Sequence, residues 1–253
     1  MPRKRNLFDP VSADPYPISR AKIECFLKCP RCFYLDRRLG VQPPGMPSMT
    51  LNRAVDTLMK AEFDGYRRRL EPHPAFLKHG IRAIPLSHPD IAVWQSNFKG
   101  VRYLHQPTNL LASGAPDEVL VIGGEWAVLD FKGTSSKDEI VSLDTEYRLV
   151  YKRQIEIYSW LLAMNGHPVG TRGFLLFANA RKDRDSFDGR LDFDMQLVEI
   201  AVDTDWIEPT LQAAKACLLA TEPPAASPDC ETCGYVEAVN ETVNEAAWDR
   251  LRS

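Results

Sequence analysis

No run in the sequence approaches the roughly 18–20 consecutive apolar residues of a membrane-spanning helix. The basic first residues, Met1 to Arg5, are not followed by the apolar stretch of a secretion signal. A cytoplasmic protein with no membrane partner is therefore expected. A glycine-rich phosphate loop is missing, so no attached helicase motor is expected. The five histidines show no metal-ligand spacing, and there is neither an internal repeat nor a low-complexity tract. A large positive charge is also lacking: the net value of −3 excludes a uniformly basic coat. It leaves room for nucleic acid, because one local basic groove is enough to hold a phosphate backbone.

What is present is an ordinary globular composition, 44% hydrophobic and 26% charged, in a chain of 253 residues that can bury a substantial core. Ser19 stands where it can cap a helix through Ile23, Phe26 and Leu27. Pro30 punctuates that helix, a second piece ends near Leu39, and Gly40 is its stop signal. After the Pro/Gly-rich loop Val41 to Pro47, apolar spacing from Leu51 to Tyr66 predicts a helix. Residues 71–116 read as irregular, with short strands around Ile81–Ile84 and Ile91–Trp94. Two runs, Glu118 to Ile122 and Glu125 to Lys132, are joined through Gly123-Gly124 and predict a β-hairpin. A helix over Thr145 to Met164 follows, then strands Gly173–Asn179 and Asp192–Val202, and a helix from Asp203 to Leu219. The tail from Val236 to Leu251 has helical spacing but weak hydrophobicity. This order predicts an α/β arrangement around a mixed sheet.

Chemistry concentrates on the hairpin. Asp130 and Lys132 lie two apart on a strand, so both point to one face while Phe131 points to the core. Asp117, after Pro116, begins the partner strand. Two carboxylates and an amine can thus meet at one sheet edge, and such a pair suits a hard divalent cation such as Mg²⁺ or Mn²⁺. Taken alone, Asp117 is equally a turn residue, and Asp130 and Lys132 are equally a surface ion pair. An apolar strand (Trp126, Val128, Leu129, Phe131) is nevertheless a costly place to bury unpaired charge.

The cysteines add a second signal. Cys29-x-x-Cys32 and Cys230-x-x-Cys233 are paired spacings in which both thiolates can reach one ion; four together make a tetrahedral site or an iron–sulfur cube. In a reducing compartment, metal binding is a better reading of them than disulfides. Cys25, one turn before Cys29, could substitute for Cys32, and Cys217 reads as core.

Gly114-Ala115-Pro116-Asp117 followed by Asp130-Phe131-Lys132 resembles the PD-(D/E)XK nuclease signature. Tyr151 to Tyr158, with Gln154 and Tyr158 four apart on one helix face, resembles the Q-x-x-x-Y motif of the RecB-like branch, which includes the CRISPR-associated iron–sulfur exonucleases. Ile23 to Leu35 resembles the opening helix of that branch. The resemblance spans residues 18–235 and implies a restriction-endonuclease-like core with a mixed sheet flanked by helices. It implies a basic tail over 1–17, a nuclease domain over 18–235 whose two ends are joined by a four-cysteine metal site, and a helical tail over 236–253. It further implies that Asp117, Asp130 and the Phe131 carbonyl hold Mg²⁺ or Mn²⁺, that Lys132 is catalytic, and that Gln154 and Tyr158 reach the site or the substrate. The relatives carry a [4Fe–4S] cluster held by one N-terminal and three C-terminal cysteines. Here Cys29, Cys32, Cys230 and Cys233 are arranged two plus two, which leaves iron–sulfur by resemblance and zinc by spacing. The branch presents a histidine from the helix before the sheet, where this chain has Asp56; a carboxylate there can bind metal, and the position equally suits a solvated helix residue.

The resemblance implies a deoxyribonuclease acting on single-stranded DNA or duplex ends in repair, recombination or CRISPR adaptation, with protein partners from such a complex. The rival expectation is a silent nucleic-acid-binding or scaffold module that keeps the fold. Arg67–Arg69, Lys152, Arg153 and Arg181–Arg184 are candidate phosphate contacts, although charge runs are also ordinary solvated faces. Asp183 to Gly189 reads as a hairpin loop.

Overall fold

The computed structural model describes residues 6–45, 49–137 and 146–244. The basic Met1 to Arg5, the loop end at 46–48, the expected helix start Thr145 and the tail from 245 lie outside the described residues. In chain order the elements are β1 (Tyr16–Ser19), α1 (Arg20–Lys28), α2 (Pro30–Tyr34), a π-helical turn (Leu35–Leu39) and α3 (Thr50–Arg69). There follow α4 (Pro74–Leu77), β2 (Ile84–Pro85), α5 (Ile91–Trp94), β3 (Val101–His105) and β4 (Leu110–Gly114). The remainder is β5 (Glu118–Ile122), β6 (Glu125–Thr134), α6 (Glu146–Met164), β7 (Arg172–Ala180), β8 (Phe193–Ala201), α7 (Ile207–Leu219) and α8 (Glu231–Asn244).

The chain forms two compact units, one of Pro47–Leu104 and Leu111–Ile207, the other of Met1–Met46, His105–Leu110 and Glu208–Ser253. The larger unit is built on a mixed five-stranded sheet in the order β2-β5-β6-β7-β8. β5 and β6 are the expected antiparallel hairpin, turning at Gly123 (φ 62°) and Gly124 (φ 93°), values that favour glycine. β6 and β7 run parallel, which requires a long connection, and α6 lies within it. β8 returns antiparallel to β7. β7 is buried along nearly its whole length because it is covered on both faces. On one face Phe63 and Met59 of α3 pack with Phe76, Leu129, Phe131, Phe174 and Leu176. On the other face Gly173 leaves room for Ile155 of α6: a Cβ there would collide with the Ile155 side chain.

The smaller unit contains α1, α2, nearly all of α7, and α8. Ser19 occupies the N-cap position of α1, but its side chain makes no capping hydrogen bond. Gly40 ends the π-helical turn in a left-handed conformation (φ 76°), as its stop signal predicts. Tyr34 donates its hydroxyl to the Ala220 carbonyl (3.1 Å), and the Arg31 guanidinium donates to the Pro224 carbonyl (3.1 Å) and the Glu237 carboxylate (2.5 Å). These bonds tie α2 to residues nearly 200 positions downstream.

Three readings need correction. Ile91–Trp94, expected as a strand, is a single helical turn, with the Val93 and Trp94 amides bonded back to the Asp90 carbonyl (both 2.9 Å). The region 71–116, expected to be irregular, holds β3 and β4. The helix expected from Asp203 begins at Ile207, because Asp203 instead turns the chain by accepting the Asp205 amide (3.0 Å). No helix among the described residues is long and apolar enough to cross a membrane.

Candidate active site and cysteine cluster

β5 and β6 place Asp117 one step beyond the Glu118–Leu129 pair, opposite Asp130. The Asp117 carboxylate reaches across this step and accepts the Phe131 backbone amide at Oδ2 (3.0 Å). Its Oδ1 lies 2.8 Å from Lys60 Nζ of α3. Gln95 holds the backbone of the same residue, donating from Nε2 to the Asp117 carbonyl (2.6 Å).

Asp130 is almost fully buried, yet none of its charge goes unmatched. Oδ2 pairs with the Lys132 ammonium, and Oδ1 accepts from Gln154 Nε2 of α6 (2.6 Å). Gln154 closes the loop by accepting from Lys132 Nζ at Oε1 (3.2 Å) and by donating to the Tyr158 hydroxyl (3.2 Å). Lys132 also lies over the Tyr151 ring, 4.6 Å from its centre. One amide side chain thus fixes both members of the Asp-x-Lys pair, and the i, i+4 spacing of α6 brings Tyr158 behind it. Gly114 makes this possible: a Cβ there would lie 2.6 Å from Tyr158 Cδ1. Phe131 sends its ring into the core, 5.0 Å from that of Phe63, and leaves its backbone between the two carboxylates.

Asp56 is part of the same cluster but reaches it indirectly. Its Oδ1 lies 3.0 Å from Lys60 Nζ, and Lys60 bridges to Asp117. Burial works against the Lys60 charge, but the Asp117 and Asp56 carboxylates outweigh it and raise its pKa. Sequence reasoning missed Lys60, Gln95 and Tyr151. Lys60 follows Asp56 by four residues and reads as an ordinary helix-surface pair. Gln95 lies in a region without periodicity.

The candidate phosphate contacts are mostly engaged elsewhere. Arg67 pairs with the buried Glu118 and the exposed Asp64 and donates to the Leu86 carbonyl (2.9 Å), so it holds α3 to the sheet. Lys152 pairs with the buried Glu156 (2.9 Å). Arg181 and Arg184 lie beyond the end of β7, each beside an aspartate.

The arrangement of the carboxylates fits a hard cation. Asp117 and Asp130 lie across one hairpin step, and each meets a lysine ammonium carried on a flexible stem. The carbonyl of Phe131, the residue after Asp130, would complete an all-oxygen set.

In the smaller unit, the Sγ atoms of Cys29, Cys32, Cys230 and Cys233 all lie within 4.8 Å of one another and are positioned to bind a metal ion. Cys29–Cys233 is 3.8 Å, Cys32–Cys230 is 3.6 Å and Cys32–Cys233 is 3.5 Å. Burial raises the Cys29 thiol, but the Cys32 and Ser227 amides and the neighbouring thiols outweigh it and bring its pKa to about 6. Burial, with the Cys230 and Cys29 thiols, pushes Cys233 up to about 11 against a lowering by Cys32, and burial with the other three thiols pushes Cys32 higher still. Four thiolates cannot share this space without a cation. Cys25 and Cys217 stand apart; the Cys217 thiol meets the Pro30 carbonyl at 3.7 Å.

No family model matches the sequence, and no curated protein matches it. Among solved structures, 90% of the chain is similar to 86% of SSO0001, at 14% identity and a TM-score of 0.44. A second similarity covers 91% of the chain and 95% of LHK-Exo, an alkaline exonuclease from Laribacter hongkongensis, at 11% identity and a TM-score of 0.36. At these values the likenesses assign nothing.

Proposed function

We propose that the chain is a metal-dependent nuclease of the PD-(D/E)XK type, RecB-like, that hydrolyses DNA phosphodiester bonds. The observation that carries this reading is the closed hydrogen-bonded set Asp130–Lys132–Gln154, with Asp117 opposite it. Asp117, Asp130 and the Phe131 carbonyl would hold Mg²⁺ or Mn²⁺, with Asp56 within reach if Lys60 swings aside. When bound, such an ion supplies an activated water and neutralises charge on the attacked phosphate. The chain's own groups do the rest. Gln154 fixes the rotamers of Asp130 and Lys132. Lys132, held ammonium-side against a carboxylate and an aromatic face, offers a cation to a phosphate oxygen as charge builds there. Tyr158 anchors Gln154 from behind.

Action on single strands or duplex ends, in repair, recombination or CRISPR adaptation, is the setting that the motif resemblance suggests. One observation favours a second reading, a silent binding module: Lys60 neutralises one lobe of Asp117, and Asp56 stands where the motif has histidine. Incubation with labelled single-stranded and duplex DNA in Mg²⁺ or Mn²⁺ separates the two. Cleavage lost in Asp130→Ala supports the nuclease, and DNA binding without cleavage supports the module.

For the cysteines we propose a single tetrahedral ion, zinc. Four sulfurs about 2.3 Å from one zinc are about 3.8 Å apart; three of the six separations are 3.5–3.8 Å and all lie within 4.8 Å, which supports that size. A four-iron cube gives each thiolate its own iron and spreads the sulfurs further. A colourless protein with one zinc per chain is expected; absorbance near ~400 nm would point to iron–sulfur instead.

A further inference from the structure

The parallel strands β6 and β7 end at Thr134 and Ala180, and a groove of about 350 Å³ opens beyond those ends. The crevice outside the carboxyl ends of parallel strands is where open α/β sheets bind ligands. One wall is apolar: Leu51 and Val55 from the start of α3, and Leu191 and Phe193 from the entry to β8. Leu51 is 59% exposed. Arg181 and Lys182 also line it, and among the described residues no carboxylate does, although acidic residues outnumber basic ones in the chain, 34 to 31. Lys182 is oriented by donating to the Ser135 carbonyl (2.9 Å). Arg181 pairs with Asp183 (2.8 Å) on the exposed side, where an ion pair is weak and exchanges readily for a phosphate.

The groove also adjoins the candidate site. On α3, Asn52 lines the groove one helical turn before Asp56, whereas Asp130 and Lys132 point to the opposite, α6-covered face of β6. An apolar wall with an aromatic ring takes the face of a base, and such faces are free only in an unpaired strand. Basic side chains at the rim take the backbone.

We propose that this groove is a subsite for one unpaired nucleotide of a single-stranded polynucleotide, on the Asp56 side of the candidate site. Phe193, Leu51, Val55 and Leu191 hold the base, and Arg181 and Lys182 hold the backbone. The assignment rests on the nuclease reading and names its substrate class.

The test is fluorescence anisotropy of a labelled oligothymidylate of about 12 nucleotides, titrated with the full chain in EDTA. Leu51→Glu places an acid in the first turn of α3, where it suits the helix, so folding is retained. Leu77→Glu is the control: it makes the same charge change on α4, beside Phe76. That ring packs on Phe174, six residues before Ala180 on β7, or roughly 20 Å away. Leu51→Glu and Lys182→Glu are each expected to weaken binding about tenfold, and Leu77→Glu less than about twofold. A duplex of the same length is expected to bind about tenfold more weakly and to ignore Leu51→Glu. Equal effects of Leu51→Glu and Leu77→Glu, or equal affinity for the duplex, would overturn the subsite. Binding is measured without metal, so the two ideas fail separately. Absent cleavage with groove-dependent binding sinks the nuclease, whereas Asp130-dependent cleavage with no Leu51→Glu effect sinks the groove.

Discussion

Gly114 is the position where one added carbon should be felt throughout the candidate site. A Cβ at this residue would lie 2.6 Å from Tyr158 Cδ1 and 3.2 Å from Leu161 Cδ1, with Cε1 of the ring closer still. Tyr158 and Leu161 are buried on α6, so neither can swing into solvent. Gly114→Ala must therefore shift the ring or the strand, an overpacking change that costs about 1–3 kcal/mol. For a domain of this size that corresponds to a fall in melting temperature of roughly 6 °C. Tyr158→Leu removes the ring and opens the space. In that background Gly114→Ala is expected to cost little, giving a coupling of about 1–2 kcal/mol in a double-mutant cycle by urea unfolding. A displaced ring also releases Gln154, and a misplacement near 1 Å can lower cleavage about 100-fold. If Gly114→Ala leaves the melting temperature unchanged, or if the two substitutions are additive, the packing of α6 against β4 described above is wrong.

Three further outcomes are expected. His73 is buried and neutral: its Nδ1 accepts the Ala75 amide (3.2 Å), its Nε2 meets Glu62 (3.0 Å), and burial holds its pKa below 6.5 despite that carboxylate. The unfolded chain then binds the proton more readily, so stability is full above about pH 6.5 and falls through the lower folded value, by at most about 1.4 kcal/mol per pH unit. His73→Asn should flatten urea midpoints measured between pH 7 and 5; an unchanged slope would refute the assignment. Glu156 accepts from the Asp203 amide (3.2 Å) and from Trp206 Nε1 (2.9 Å) and pairs with Lys152, so Glu156→Leu should cost about 2–4 kcal/mol by removing these bonds from a buried acceptor; a loss under about 0.5 kcal/mol would show that water replaces it. Cys230→Ser should abolish stoichiometric zinc by elemental analysis and lower the melting temperature, whereas full occupancy in that variant would remove the four-thiolate site.

Much of this was legible in the residues because their signals were local. Gly123-Gly124 between two valine-rich runs announces the β5–β6 hairpin, and the Cys-x-x-Cys pairs announce a site whose four sulfurs the fold brings together. The period-2 spacing of Asp130 and Lys132 correctly places both on one face. Elements that depend on distant partners were not legible. Ile91–Trp94 is apolar and β-branched, yet bonds to Asp90 close a helical turn there. β3 and β4 lie in a stretch too rich in turn residues to show alternation. Lys60 and Gln95 reach Asp117 only once α3 and α5 have packed on the sheet. Gly114 read as part of a motif, and its reason, the Tyr158 ring, is 44 residues away.

The central claim is that Asp117, Asp130 and Lys132 form a phosphodiesterase centre. Its most direct test is the single-turnover cleavage rate of an end-labelled DNA single strand in Mn²⁺, for the native chain and for Asp130→Ala and Lys132→Met. The account predicts cleavage by the native chain and a loss of about 1,000-fold or more in each variant. Cleavage at the same rate in Asp130→Ala would contradict it.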